Sequence, residues 1–292
     1  MLLSSLTSDV VPPARRVIVL VLDGLRADLV GDPRFPNIAR LHATSAATTD
    51  ATTVLPSVTA VAMTSLLSGL SPADHGVDSD RFRVPTPRLP MTTLPQAVIA
   101  AGLPASGVVR RVPWVLRHTA NRIVRALGLE QTIFATPNAH VLLAAAGPLL
   151  ATQRTGLIVL HWPDCDAIGH AAGWMSLPYL TAVSRMDHAL GMLLAQIDGT
   201  FDDTLLIALA DHGGGGRIAT HHDSAHPHDC TIPIMLHGAG IQPQQLPAGL
   251  TLLDVPATAL HALGIPVPSS YAGTPIHQAF TSSMLACAAS AA

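Results

Sequence analysis

The sequence predicts an α/β fold, with one open, largely parallel sheet and helices on both faces. Three observations carry that prediction. Continuous apolar runs of four to six residues recur along the chain, without the alternation of a half-exposed strand. Helical patterns lie between the runs. Three of the four runs are followed at once by Asp or His, and ligand sites of parallel sheets lie beyond the carboxyl ends of their strands.

The elements follow in order. Residues 17–22 (VIVLVL) form the first buried strand, which ends at Asp23-Gly24. A helix over 36–43 opens with Pro36 in its first turn. A second helix over 57–67 follows Pro56, with Ser57 as its N-cap. A third spans 93–101. The second strand is 157–160 (LIVL), followed by His161 and Asp164. After a helix over 177–197 comes the third strand, 204–209 (TLLIAL), followed by Asp211-His212. The fourth is 232–236 (IPIML). A closing helix over 254–263 has Asp254 as N-cap and Gly264 as stop. Residues 78–155 are rich in Pro and Arg and show only a weak pattern; they read as part of the same domain with a surface excursion near the functional residues. The expectation is one domain over 1–292, with a frayed tail at 281–292.

Composition excludes several classes. The chain is 49% hydrophobic and only 12% charged, so a membrane protein is the first alternative. The longest uncharged stretches, 51–73 and 234–253, are broken by Pro, Gly, Ser and Thr and do not read as spans. The first residues lack a basic start and a long apolar core, so no signal peptide is expected. Three scattered cysteines make no disulfide framework. A reduced, cytoplasmic setting is the simplest expectation, with no membrane partner. A net charge of -3 without any Lys/Arg run argues against a nucleic-acid polymer as partner. Nothing in the sequence sets the oligomeric state.

The candidate chemistry sits at the strand ends. Asp23 is a carboxylate placed to bind a cation. Asp166 and His170 are four residues apart after a buried strand, a spacing at which two donors converge on one ion, with Gly169 allowing close backbone approach. Asp211 and His212 precede four glycines, read as a flexible loop; two adjacent polar groups are costly to bury without partners, and a metal resolves that cost. The continuation holds His221, His222, His226 and His228, of which at least one is expected to be a ligand. Thr59 would lie in the first turn of its helix, where free N–H groups and the dipole favour an anion. Spacing alone does not select it over Thr53 or Thr64.

These pieces together resemble the alkaline phosphatase superfamily. They are most similar to its type I phosphodiesterase / nucleotide pyrophosphatase branch and to phosphonoacetate hydrolase. The resemblance runs from about 17 to 276 and rests on Asp166-x-x-Gly-His170, on Asp211-His212-Gly and on the closing segment 253–266 with Tyr271-Ala-Gly. It implies a two-metal hydrolase of phosphate or phosphonate esters acting on a small-molecule substrate. The family nucleophile lies nine residues before a Thr/Ser-Gly-Leu, which here gives Thr59. One metal would take Asp23, Asp211, His212 and Thr59. The other would take Asp166, His170, His222 and again Thr59, with His226 as the fallback for His222. The family usually holds zinc; the Asp/His donor set suits zinc and is compatible with manganese. Catalysis would pass through a phospho-threonine. Where many nucleotide pyrophosphatases carry an Asn after His75-Gly76, this chain has Asp80, which would repel a phosphate oxygen; Arg81 or Arg83 would then clamp the substrate. Sulfatases share the opening motif but need a Cys/Ser-x-Pro-x-Arg setting that the Thr59 region lacks. Phosphoglycerate mutase relatives carry a large inserted domain and a Ser nucleophile. A metal-stabilised binding protein without catalysis is the rival from another class.

Overall fold

The computed structural model describes residues 12–80, 85–129 and 131–281; Arg81, Arg83 and most of the tail expected to fray lie outside them. In chain order the elements are β1 (Arg16–Leu22), α1 (Pro36–Ala43), β2 (Ala46–Thr52), α2 (Thr59–Ser68), α3 (Pro72–His75), α4 (Leu94–Ala100), β3 (Ala105–Arg110), α5 (Arg117–Ala126), β4 (Gln131–Ala135), α6 (Ala139–Thr152), β5 (Gly156–Trp162), α7 (Asp164–Ala172), α8 (Leu177–Ile197), β6 (Thr204–Leu209), α9 (Pro227–Cys230), β7 (Thr231–Gly238), β8 (Gln244–Gln245) and α10 (Asp254–Ala262).

All eight strands form one sheet in the order β4-β3-β5-β1-β6-β7-β2-β8. The pairings are parallel except where β7 meets β6 and β2. β7 is the fourth strand that the apolar runs predict, and its direction has a simple cause. The chain leaves β6 at the carboxyl edge, builds the His-rich loop there, and re-enters from that same edge. That return keeps His222 beside the ends of β1, β5 and β6.

Every residue of β1, β5 and β6 is buried, as expected for strands covered on both faces. One helix group joins α1, α6 and α7 to α8; the other joins α2, α3, α4 and α10. Each fully buried Leu, Ile or Val contributes about 1.5–3 kcal/mol. Buried Arg16, at the start of β1, is satisfied by the carbonyls of Leu150 and Gln153 and by the hydroxyls of Thr200 and Thr204.

Two helix starts differ from expectation. Val58, not Ser57, is the N-cap of α2, because the Ser57 hydroxyl donates to the carbonyls of His222 and Ser224. Asp254 is the first residue of α10 and not its cap; its carboxylate accepts from the N–H groups of Thr251 and Thr274. Thr93 does cap α4, in a reciprocal capping box with Gln96. The segment before β5 supplies β3, β4, α5 and α6, so the sheet extends two strands past β5. Cys165 and Cys230 are unpaired. Among the described residues no helix is long and apolar enough to cross a membrane.

Candidate metal centre

Four segments meet at the carboxyl edge of the sheet. Asp23 follows β1 directly, and its N–H donates to the Trp162 carbonyl of β5. The Asp166 N–H returns a bond to the Asp23 carbonyl, which ties the start of α7 to the end of β1. Gly24 makes that approach possible: its φ is +73°, and a Cβ there would stand 2.8 Å from the Asp166 Cα. The Gly24 carbonyl accepts from the Trp174 indole and the Tyr179 hydroxyl, both at 2.9 Å, so two buried aromatic groups brace the turn.

The loop after β6 is packed, where the glycine run suggested flexibility. The N–H groups of Gly213, Gly214, Gly215 and Gly216 all find acceptors: the carbonyls of Asp229, His228 and His221, and the Asp229 carboxylate. A Cβ on Gly213 would lie 2.1 Å from the His228 carbonyl oxygen, and one on Gly214 2.1 Å from the Trp174 ring. Gly169 likewise makes room for the Trp174 indole, a ring where backbone approach was expected.

Asp23, Asp166, Asp211, His212 and His222 are all buried here. Their donor atoms form two overlapping groups, Asp23/Asp211/His212 and Asp166/His212/His222, each within 4.8 Å. His212 Nε2 lies 3.3 Å from Asp23 Oδ1 and 3.6 Å from Asp211 Oδ2. Asp166 Oδ1 lies 3.3 Å from His170 Nε2 and 3.4 Å from His222 Nε2. Thr59, the first residue of α2, holds its hydroxyl 3.1 Å from His212 Nε2 and 3.4 Å from Asp23 Oδ1. The seven residues singled out by sequence thus converge. His226 does not: its Nδ1 accepts from the His228 N–H.

Two features fit this cluster to cations. First, the three imidazoles share one tautomer. Nδ1 of His170, His212 and His222 bonds the carbonyls of Thr220, Gly213 and Ser57, so each Nε2 faces the centre, where it would offer its lone pair to a cation in place of any proton it carries. His170 and His222 then face Nε2 to Nε2 at 3.0 Å, an arrangement that needs a positive charge beside it. Second, Asp23 Oδ2, Asp166 Oδ1 and Asp211 Oδ2 are buried with no hydrogen-bond partner. Buried unpaired carboxylate oxygens are costly, and a metal satisfies them.

The electrostatics agree. Burial pushes the Asp211 carboxyl up to about 7, with the neighbouring Asp23 charge adding to the effect. Burial also opposes ionisation of Asp23, but the adjacent imidazoles of His161 and His212 hold it well below the usual carboxylate range. Desolvation works against a charged His212, yet Asp211 and Asp23 raise it to about 10. The cluster therefore keeps protons at neutral pH where a cation would otherwise sit.

His161 is the neighbour the strand-end argument passed over as a site residue. The β1/β5 register pairs it with Val21 and sets it beside Asp23, with Nε2 3.1 Å from Asp23 Oδ2. Neither atom reaches hydrogen-bond geometry. Its place directly after the second apolar run was the sequence signal, and the strand register decides which carboxylate it meets. Asp80 is the second surprise. Its Oδ1 accepts from the Ala60 N–H at 3.1 Å, so a carboxylate rests on the first turn of α2 beside Thr59.

Comparison with known proteins gives this edge its context. Over 138 residues the chain is 28% identical to the 2,3-bisphosphoglycerate-independent phosphoglycerate mutase of Synechococcus sp. (strain JA-3-3Ab), covering 44% of this chain and 25% of that enzyme. The chain thus matches only about a quarter of the length of such curated relatives. Murine ectonucleotide pyrophosphatase / phosphodiesterase 5, solved as an inactive threonine-to-alanine variant with AMP, superposes with a TM-score of 0.71 at 14% identity, over 91% of this chain and 100% of that one. A putative sulfatase from Bacteroides thetaiotaomicron has a TM-score of 0.67 at 18% identity, over 91% and 74%. The model of the Type I phosphodiesterase / nucleotide pyrophosphatase family matches residues 17–93 and 114–222, which hold all seven convergent residues. With more than half its length matched, the chain belongs to the type I phosphodiesterase / nucleotide pyrophosphatase family.

Proposed function

We infer that the protein hydrolyses phosphate or phosphonate esters of small molecules, with Thr59 as nucleophile and two divalent cations held by Asp23, Asp211 and His212 on one side and Asp166, His170 and His222 on the other. The observation that carries this reading is the place of Thr59. Its hydroxyl opens a helix and lies 3.4 Å from Asp23 Oδ1 and 3.1 Å from Nε2 of His212, the one residue common to both donor groups. In the murine protein of similar fold one threonine-to-alanine exchange gives an inactive variant, which fits a threonine nucleophile on this fold. Bound cations would lower the pKa of the hydroxyl and neutralise charge on the phosphoryl oxygens.

The chain's own residues do the rest. The first turn of α2 fixes the Thr59 hydroxyl for in-line attack on phosphorus. The P–O bond to the leaving group breaks as the threonine ester forms, and water then cleaves that ester. The buried carboxylates hold their ligand geometry because Gly24, Trp174 and Tyr179 lock the turn that carries Asp23. The donor set favours zinc, with manganese as the alternative.

The test is hydrolysis of p-nitrophenyl phosphate, bis-p-nitrophenyl phosphate and p-nitrophenyl phenylphosphonate by chelator-stripped protein. Turnover restored by zinc or manganese is the expected result, and the preferred ester ranks the substrate classes. Turnover restricted to p-nitrophenyl sulfate would move the chain to sulfoester chemistry. One observation favours a second reading, a metal-stabilised binding protein: Asp80 occupies an N–H of the anion-binding turn. Bound metal with no turnover on any of these esters would favour it.

A further inference from the structure

Charge is segregated along this chain in a way the net charge of -3 conceals. From residue 81 to residue 129 there are eight arginines and no Asp or Glu; the rest carries eight arginines against nineteen acidic residues. Five of those eight, Arg110, Arg111, Arg117, Arg122 and Arg125, belong to one surface element at the end of β3 and along α5. All five are exposed. On α5 the exposed side chains are Arg117, His118, Arg122 and Arg125, while Ala120 is buried and Ile123 and Val124 pack against the core.

The turn of 3-10 helix that leads into α5, Trp114–Leu116, buries none of its side chains. Trp114 is 85% exposed and Val115 61%, and Leu116 is exposed beside them. Three consecutive apolar side chains therefore stand in water with Arg111 before them and Arg117 after. A Trp flanked by aliphatic residues and arginines has the composition of an interfacial membrane contact. Arginines alone would suit any polyanion. Val115 and Leu116 gain nothing from a phosphate backbone, but they gain from entering the acyl boundary. β3 is parallel to β5, so the turn leaves the sheet at the edge that carries Thr59.

We propose that the surface formed by residues 110–125 docks on an anionic membrane, with Trp114, Val115 and Leu116 entering the headgroup region and the arginines meeting lipid phosphates. The inference stands on exposure and charge alone and does not depend on the hydrolase reading.

The protein carries its own reporter. Trp162 and Trp174 are buried, so Trp114 is the one tryptophan that vesicles can reach. Full-length, chelator-treated protein is mixed with phosphatidylcholine vesicles, with and without roughly a third phosphatidylserine. The expected result is a blue shift and co-sedimentation only with the anionic vesicles, weakened by salt. Arg117→Ser with Arg122→Ser should weaken binding about 25-fold, at roughly fivefold per arginine. Trp114→Ser should abolish the shift and weaken binding, and an unchanged thermal unfolding midpoint would show that either variant folds. Equal binding to neutral vesicles would overturn the charge argument. Absence of vesicle binding would overturn the proposal outright, and quenching by heparin or an oligonucleotide in its place would assign the surface to a polyanion.

Discussion

Thr59 and Asp80 share the first turn of α2, and their chemistries conflict there. A hydroxyl poised to attack phosphorus needs the adjacent N–H groups for phosphoryl oxygens. Asp80 Oδ1 already accepts from Ala60. Replacing it by Asn keeps the size, removes the negative charge and adds a donor. Asp80→Asn should therefore raise kcat/KM for p-nitrophenyl phosphodiesters, by about tenfold if the effect is one charge-assisted contact. A fall in kcat/KM would mean that Asp80 works for the substrate and not against it. Thr59→Ala should reduce turnover on the order of 10³-fold while bound zinc, read by elemental analysis, stays the same. Near-normal turnover would remove Thr59 from the mechanism. His161 acts one step further out. Its imidazole Nε2, on β5, stands 3.1 Å from Asp23 Oδ2. Losing such an orienting partner commonly costs 10–100-fold in metal affinity. His161→Phe should weaken zinc binding by about that factor, measured by competition with a chromophoric chelator, and His161→Gln should recover part of it.

The elements differ in how plainly the sequence announces them, and the reason is burial. α1 and α8 occupy the ranges that the sequence predicts, Pro36–Ala43 and Leu177–Ile197. β1, β5 and β6 are buried on both faces, so their apolar runs are unbroken. β2 (AATTDAT) and β4 (QTIFA) carry small or polar residues and are partly exposed, so no run marks them. β3 includes Gly107 and ends in Arg110, which hides it as well. The candidate donors Asp23, Asp211 and His212 stood out because they follow the plainest strands, whereas Thr59 and His222 were selected by the family resemblance. Their contacts were not legible, because pairing register and the packing of the glycine loop are tertiary facts. That loop supports a direct test. Gly214 has no special φ, and the nearest obstacle to a side chain there is the Trp174 ring. Trp174 in turn braces Gly24 and stands edge-on to His170 and His222, at 5.3 and 5.5 Å between ring centres. Gly214→Ala should destabilise the metal-free protein by about 1–3 kcal/mol in urea and weaken zinc binding as well. A neutral result in both would show that the loop yields more easily than its packing implies.

At the scale of the whole molecule, the buried cluster ties folding to pH and to metal. In the metal-free protein Asp211 is raised from its usual 3.8 to about 7, by burial first and by the Asp23 charge second. A group raised on folding contributes stability that is fully present below its unfolded value and is lost as pH rises through the folded one. Asp211 thus withdraws stability between about pH 4 and 7. His212, raised from 6.5 to about 10 by Asp211 and Asp23 against the cost of burial, withdraws more between those limits. Asp23 is depressed, so its contribution is in place above 3.8 and is lost only as pH falls further. The chelated protein should therefore lose Tm steadily from roughly pH 5 to 9. A cation changes the sign of the problem, because it takes the place of the protons that Asp211 and His212 would otherwise hold. Metal affinity must then rise with pH, and the stabilisation that follows from binding the folded state rises with it. Thermal unfolding with chelator and with zinc should give two curves that diverge as pH increases, with the gap widest on the alkaline side. If the chelated curve were flat and the gap constant, the buried donors would not be storing protons, and the cluster would be a preformed metal site already ionised without its metal.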